Sequence, residues 1–189
     1  MPVNILAISG SLRTGSLNTK LLKVAAEAAE SAGASVTHVD LRSLDLPMYD
    51  QDLEDASGLP AGCITLKDQM KAHHGMLIAS PEYNSSYTGA LKNAIDWASR
   101  PRDGEKPLEC FAGKTAGLIA CSPGALGGLR GLVTLRMLLG NIQVHVLPKQ
   151  YAAGSIEFND DGKPTNDDHT EGVSGVAREL VSFTASVTG

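Results

Sequence analysis

The stretch Val3-Asn4-Ile5-Leu6-Ala7-Ile8-Ser9-Gly10-Ser11-Leu12-Arg13-Thr14-Gly15-Ser16-Leu17-Asn18 sets a short apolar run directly against a loop of Gly, Ser and Thr. An unbroken apolar run of strand length fits a strand covered on both faces, as in parallel sheets. Leu17 to Ser31 then carries a helical period, with Leu21, Leu22, Ala25, Ala28 and Ala29 on one face. Gly33 stops that helix, and Ala34 to Val39 supplies the next strand. The chain therefore opens as strand, polar loop, helix, strand.

The alternation continues to the end. Residues 43 to 62, with Pro47, Gly58, Pro60, Gly62 and five acids, read as a long connection. After it come a helix (Cys63 to His73), a strand (Gly75 to Ala79), a helix (Thr88 to Ser99), a strand (Thr115 to Cys121), a helix (Leu129 to Leu139), a strand (Gln143 to Leu147) and a last helix (Glu171 to Val187). Strict β-α order predicts an α/β protein: a three-layer α/β/α sandwich on a five-stranded parallel sheet, with residues 1–189 as a single domain.

Composition narrows the function. The 189 residues are 42% apolar and 20% charged, with 20 glycines, which excludes a disordered or collagenous chain. Cys63, Cys110 and Cys121 share no C-x-x-C spacing, so neither a disulfide framework nor a cysteine metal cluster is expected. Six acids and one base between Glu157 and Glu171 account for the whole net charge of −5. The remaining bases are scattered, so no nucleic acid partner is expected, and no basic amphipathic face or long apolar run calls for membrane insertion. With no basic leader at the N-terminus, a cytoplasmic location is expected.

In open α/β sheets ligands bind beyond the carboxyl ends of the strands, and three loops there stand out. Ser9 to Asn18 opens a helix, where unpaired N–H groups and the helix dipole favour an anion. The hydroxyls of Ser11 and Ser16, the amide of Asn18 and the charge of Arg13 fit a phosphate monoester. Gly10 and Gly15 echo a nucleoside-triphosphate loop, but Ser16 and Leu17 stand where that motif needs Lys and Ser or Thr. Ser80 to Gly89 holds Pro81, Tyr83 and Asn84, a stiff turn that offers peptide groups to the polar edge of a flat heterocycle. Cys121 to Gly131 has four glycines, Gly124, Gly127, Gly128 and Gly131, that allow close backbone approach to a ligand.

These residues carry a resemblance. G-S-L-R-x-x-S-x-N (Gly10 to Asn18), P-E-Y-N (Pro81 to Asn84) followed by G-A-L-K-N-A-I-D-W (Gly89 to Trp97), and S-P-G-x-x-G-G (Ser122 to Gly128) resemble the NAD(P)H-dependent FMN reductases, among them quinone, chromate and azo-dye reductases. Leu46 to Tyr49 and Phe158 to Gly162 fit too. The resemblance implies a flavodoxin-like sheet of order 2-1-3-4-5, bound FMN, NADPH or NADH as co-substrate, and small-molecule electron acceptors. It also implies a homodimer or homotetramer, with residues 43 to 62 and 88 to 99 as candidate contacts. By the same resemblance Ser11, Arg13, Ser16, Leu17 and Asn18 hold the FMN phosphate. Pro81, Glu82, Tyr83, Asn84 and Ser85 flank the ring and ribityl chain, and Ser122, Gly124 and Gly127 close the third side. No catalytic side chain is expected, since the chemistry belongs to the flavin, and no metal site is expected.

Two other readings share the fold: a flavodoxin-type electron carrier, whose phosphate loop is typically T-x-T-x-T, and a non-enzymatic flavin-binding regulatory module. Glu157 to Asp168 has partial calcium-loop spacing, but its first ligand is Glu and Pro164 sits where an apolar residue belongs, so an exposed turn is expected. His73-His74 reads as a helix end, Cys121 as inert core, and Trp97 as a packing or subunit-contact residue.

Overall fold

The computed structural model describes residues 2–188. Its strands are β1 (Asn4–Ser9), β2 (Ser35–Val39), β3 (Gly75–Ala79), β4 (Thr115–Ser122) and β5 (His145–Gly154). All pair in parallel, in the order β2-β1-β3-β4-β5, so the predicted flavodoxin-like order is observed. The central strands are buried along nearly their whole length, whereas edge strands β2 and β5 are partly exposed. That difference explains why β1, β3 and β4 are the uninterrupted apolar runs.

The helices are α1 (Leu17–Ser31), α2 (Gln51–Ser57), α3 (Ala61–Ala72), α4 (Gly89–Ser99), α5 (Leu129–Asn141) and α6 (Asp167–Thr188). On one face of the sheet Leu21, Leu22 and Ala25 of α1 join Val176, Ala177 and Leu180 of α6 over Ile5, Ala7 and Leu77. On the other, Leu66 and Met70 of α3, Leu91 and Ile95 of α4, and Leu132, Leu135 and Leu139 of α5 cover Leu6, Ile8, Met76 and Leu118. A small apolar void of about 20 Å³ lies within this second layer, between Met70, Leu91 and Phe111.

Two segments differ most from the expected boundaries, and α6 also starts four residues before Glu171. The connection 43 to 62 contains α2 and the start of α3. Pro47 O accepts hydrogen bonds from Trp97 Nε1 (2.8 Å) and Asn93 Nδ2 (2.8 Å), and the Tyr49 ring meets Trp97 edge-on at 5.0 Å. Trp97 is fully buried, so it is a packing residue. β5 runs seven residues further than expected because its ladder with β4 is interrupted: Ala116 pairs with Val146, but Leu118 pairs with Gln150. Pro148, which has no N–H for a ladder, falls inside this bulge. There Arg136 of α5 donates to the Val146 and Pro148 carbonyls (both 3.4 Å) and to Gln150 Oε1 (2.9 Å).

The first part of the late acidic stretch is an exposed turn, closed by a Phe158–Pro164 bridge and by Asn159 N donating to Lys163 O at 2.8 Å, while Asp167, Asp168 and Glu171 lie in α6. His73 ends α3 with Nδ1 2.6 Å from Gln69 O, while His74 Nδ1 accepts from Asn4 N at 2.9 Å. Among the described residues no helix is long and apolar enough to cross a membrane.

Candidate functional site

The loop after β1 begins with Gly10 N donating to Ala79 O at 2.8 Å, which fixes its origin beside the end of β3. It ends at Ser16, the N-cap of α1, whose buried Oγ accepts from Thr19 N at 3.3 Å. Between them Ser11 Oγ accepts from Arg13 N at 3.2 Å. The amides of Thr14, Gly15, Leu17 and Asn18 find no acceptor among the described residues. These donors sit at the N-terminal, positive end of a fifteen-residue helix. Arg13 is exposed and forms no ion pair among the described residues.

Asn18 is placed differently from its neighbours. Its side chain is buried and spans to β4, with Nδ2 donating to Cys121 O (2.9 Å) and Oδ1 accepting from Cys121 N (3.0 Å). The side chain is a clamp between the first and third loops, and what Asn18 turns toward the open loop is its backbone N–H. Thr88 makes a second tie. Its hydroxyl donates to Gly10 O (2.5 Å) and accepts from Leu91 N (3.2 Å), so it caps α4 while holding the first loop.

After β3, Tyr83 and Ser86 exchange two backbone hydrogen bonds, 2.9 and 3.1 Å, around Asn84 (φ 52°) and Ser85 (φ 65°). Two consecutive left-handed residues make a tight primed turn, which presents the Tyr83 ring 55% exposed. Glu82 points the other way, to the start of α5. Its carboxylate accepts from Arg130 N (3.0 Å), Gly131 N (3.1 Å) and Arg130 Nε (2.8 Å). Burial opposes its charge, but the Arg130 guanidinium and the α5 amides outweigh burial and hold the carboxyl below its ordinary value. Glu82 thus supplies the N-terminal anion that Gly128, the N-cap without a side chain, cannot. The sequence carried one sign of this: Arg130 in the first turn opposes the helix dipole and needs a carboxylate nearby.

In the third loop, Ser122 Oγ donates to Gly124 O at 3.2 Å, and Gly127 N donates to the same oxygen at 3.1 Å. At Gly127 (φ 60°) an added Cβ would lie 2.5 Å from Ala153 C, and at Gly128 (φ 94°) 2.8 Å from Ala120 Cβ. The close approach that these two glycines permit is to β5 and β4, that is, to the protein itself. Gly124 is the more open of the predicted pair. Cys121, buried at the end of β4, has its thiol pushed up to about 12 by burial and stays protonated.

A cleft of about 180 Å³ gathers Ser11, Arg13, Ser16, Leu17 and Asn18 with Pro81, Glu82, Tyr83 and Ser122, and adds Cys121 and Pro123. Asn84 and Ser85 form the tip of the adjoining turn, and Gly124 and Gly127 stand behind the third wall. Three loops separated in sequence therefore meet at one sheet edge, at the β1/β3 switch point where such folds bind nucleotides.

The sequence model of the NADPH-dependent FMN reductases matches residues 3–158. An NAD(P)H-dependent FMN reductase of Pseudomonas aeruginosa is 40% identical over 147 residues, 78% of this chain and 75% of that one. A quinone reductase of Escherichia coli is 37% identical over 158 residues, 83% of this chain and 80% of that one. Among solved structures, FerB, a flavoenzyme NAD(P)H:(acceptor) oxidoreductase from Paracoccus denitrificans, superposes with a TM-score of 0.82 at 30% identity, covering 97% of this chain and 98% of that one. With its fold, its three-loop cleft and more than half of its length matched, this chain belongs to the NADPH-dependent FMN reductase family.

Proposed function

We propose that the three-loop cleft holds FMN and that the chain acts as a two-step reductase, taking hydride from NAD(P)H and passing it to quinones, free flavin, azo or nitro compounds, or metal oxyanions. The observation that carries this is the donor set of the first loop. The acceptor-free amides of Leu17 and Asn18, the Ser16 hydroxyl, and Arg13, which forms no ion pair among the described residues, line this cleft at a helix N-terminus, which suits a dianionic phosphate. FMN held there would supply the hydride-carrying centre between dinucleotide and acceptor.

The chain's own work is placement. Thr88 and Asn18 fix the phosphate loop against α4 and β4, so its donors are aimed before a ligand arrives. The turn at Asn84 and Ser85 holds the Tyr83 ring at the rim, and the amides of these two residues find no acceptor among the described residues. Glu82 and Arg130 lock the second loop to α5, which keeps the cleft from widening. In the cleft the Glu82 carboxylate is engaged by Arg130 and Gly131, and the Cys121 thiol is held protonated.

The purified protein is expected to be yellow, to release FMN on denaturation, and to oxidise NADPH or NADH when a quinone is added. Arg13→Ala or Ser16→Ala is expected to weaken FMN binding by roughly tenfold or more, the loss of one charge-assisted or buried hydrogen bond. Unchanged FMN affinity in both variants would remove the phosphate assignment. Bound FMN without dinucleotide oxidation would leave a carrier or a regulatory module.

A further inference from the structure

A second cleft lies on the other side of the phosphate loop, at the carboxyl ends of β1 and β2. It encloses about 380 Å³ and takes in Arg13, Lys20, Lys23 and Arg42. Eight of the chain's 16 Lys and Arg side chains form ion pairs among the described residues; of the eight that do not, these four converge here. Lys20 packs its Nζ 5.5 Å from the Phe158 ring centre, and the Arg42 guanidinium donates to Leu12 O, which ties the loop down. Asp40 is the sole carboxylate lining the cleft, and its Oδ1 accepts from Arg42 N at 3.0 Å. Such a charge imbalance in a net acidic chain fits a ligand with a compact double negative charge.

The cleft does not end at the cations. A depression of about 240 Å³ adjoins it, sharing Lys23 and Asp40, floored by Leu22, Val39 and Leu41 and flanked by His38. An apolar floor beside a cationic cluster suits a flat base attached to a phosphorylated sugar. In dinucleotide-binding α/β folds the end of the second strand likewise meets the adenosine ribose, where an acid takes a free 2′-hydroxyl and an Arg takes a 2′-phosphate. Here Asp40 follows Val39, and Arg42 stands two residues on. Ser11, Arg13 and Ser16 line both this cleft and the three-loop cleft, so the two clefts adjoin along one wall.

We propose that this β1/β2 crevice binds the 2′-phosphoadenosine end of NADPH, with the purine over Leu22, Val39 and Leu41, the sugar edge at Asp40, and the 2′-phosphate among Lys20, Lys23 and Arg42. The proposal rests on the reading that NAD(P)H reduces flavin in the adjacent cleft. It makes the chain selective for NADPH over NADH through residues that do not line the flavin side.

The test uses FMN-loaded protein and the K20Q/K23Q double variant, which leaves Arg42 and its bond to Leu12 in place. Calorimetric titration with 2′,5′-ADP and with 5′-ADP reads the crevice without turnover. The native protein is expected to bind 2′,5′-ADP at least tenfold more tightly than 5′-ADP, and the variant to lose that difference. In the variant, KM for NADPH is expected to rise about tenfold while the NADH reaction and FMN affinity stay as they were. Equal binding of the two nucleotides by the native protein overturns the proposal. Loss of FMN from the variant also overturns it, by assigning the cations to the flavin phosphate. If 2′,5′-ADP binds but neither dinucleotide is oxidised, the crevice serves a free nucleotide; the NADPH assignment then fails together with the reductase reading, and visibly apart from the other two outcomes.

Discussion

Asn18 shows how one side chain can hold two loops in register. Both polar ends of its amide are satisfied by the Cys121 backbone, 103 residues away, in a buried setting. Asn18→Leu leaves a buried N–H and a buried C=O without partners and is expected to cost about 2–4 kcal/mol, read as a lower urea midpoint at unchanged m-value. The sequence suggested Asn18 as a phosphate donor because an Asn after a Ser-rich loop carries no mark of its distant partner. Glu82 is a similar case: P-E-Y-N told that a stiff loop was present, but not that its carboxylate turns to α5. Ser85 behaves otherwise, since its φ of 65° is a local property. Ser85→Gly relieves a left-handed conformation and is expected to stabilise the protein by about 1 kcal/mol, whereas Ser85→Val is expected to destabilise it, both measured by urea unfolding.

Among the elements, those with a clean apolar pattern were legible: α1 and β3 have the very bounds their periodicity indicates. α2 was not, because its seven residues bury no side chain and so carry no period to read. The second half of β5 was hidden by Pro148 and the bulge around it. Thr88 joins α4 to the first loop, and Thr88→Val is expected to cost about 1–2 kcal/mol through the lost cap alone, with the Gly10 carbonyl left unpaired besides. The tie between α3 and the 100–113 turn is ionic. Glu105, nearly buried, meets Lys67 at 2.8 Å and Lys71 at 2.6 Å. Burial alone would raise its carboxyl, but these lysines hold it down from 4.5 to about 2. A lowered folded value means that the contribution is complete above pH 4.5 and is lost as the pH falls from there towards 2. Glu105→Gln is expected to destabilise by about 3 kcal/mol at neutral pH and to flatten the stability profile across that acid window, checked by thermal melts from pH 7 down to about pH 3.

For the molecule as a whole, all three thiols are buried and unpaired. A thiol reagent is therefore expected to label none of them in the native protein and all three in denaturant, with a melting temperature indifferent to reductant. Of the expected subunit contacts, residues 88 to 99 turn Leu91, Ile95 and Trp97 inward, whereas residues 43 to 62 expose Met48 and Leu53. Leu126, Leu129, Val133 and Met137 form the exposed apolar stripe, and it begins at the third loop. If the chain assembles as the resemblance implies, and does so through this stripe, gel filtration gives at least twice the mass of one chain, and V133K/M137K moves the peak to the monomer position. The Asn18–Cys121 clamp also governs the order of events during synthesis. A nascent chain has released the whole loop after β1 long before residue 121 leaves the ribosome, and although Ala79 and Thr88 can by then hold its start, Asn18 has no partner until β4 exists. If the cleft holds FMN as we propose, its capture waits for the Asn18–Cys121 clamp and so for most of the polypeptide, and cells short of riboflavin should accumulate finished but more readily degraded chains.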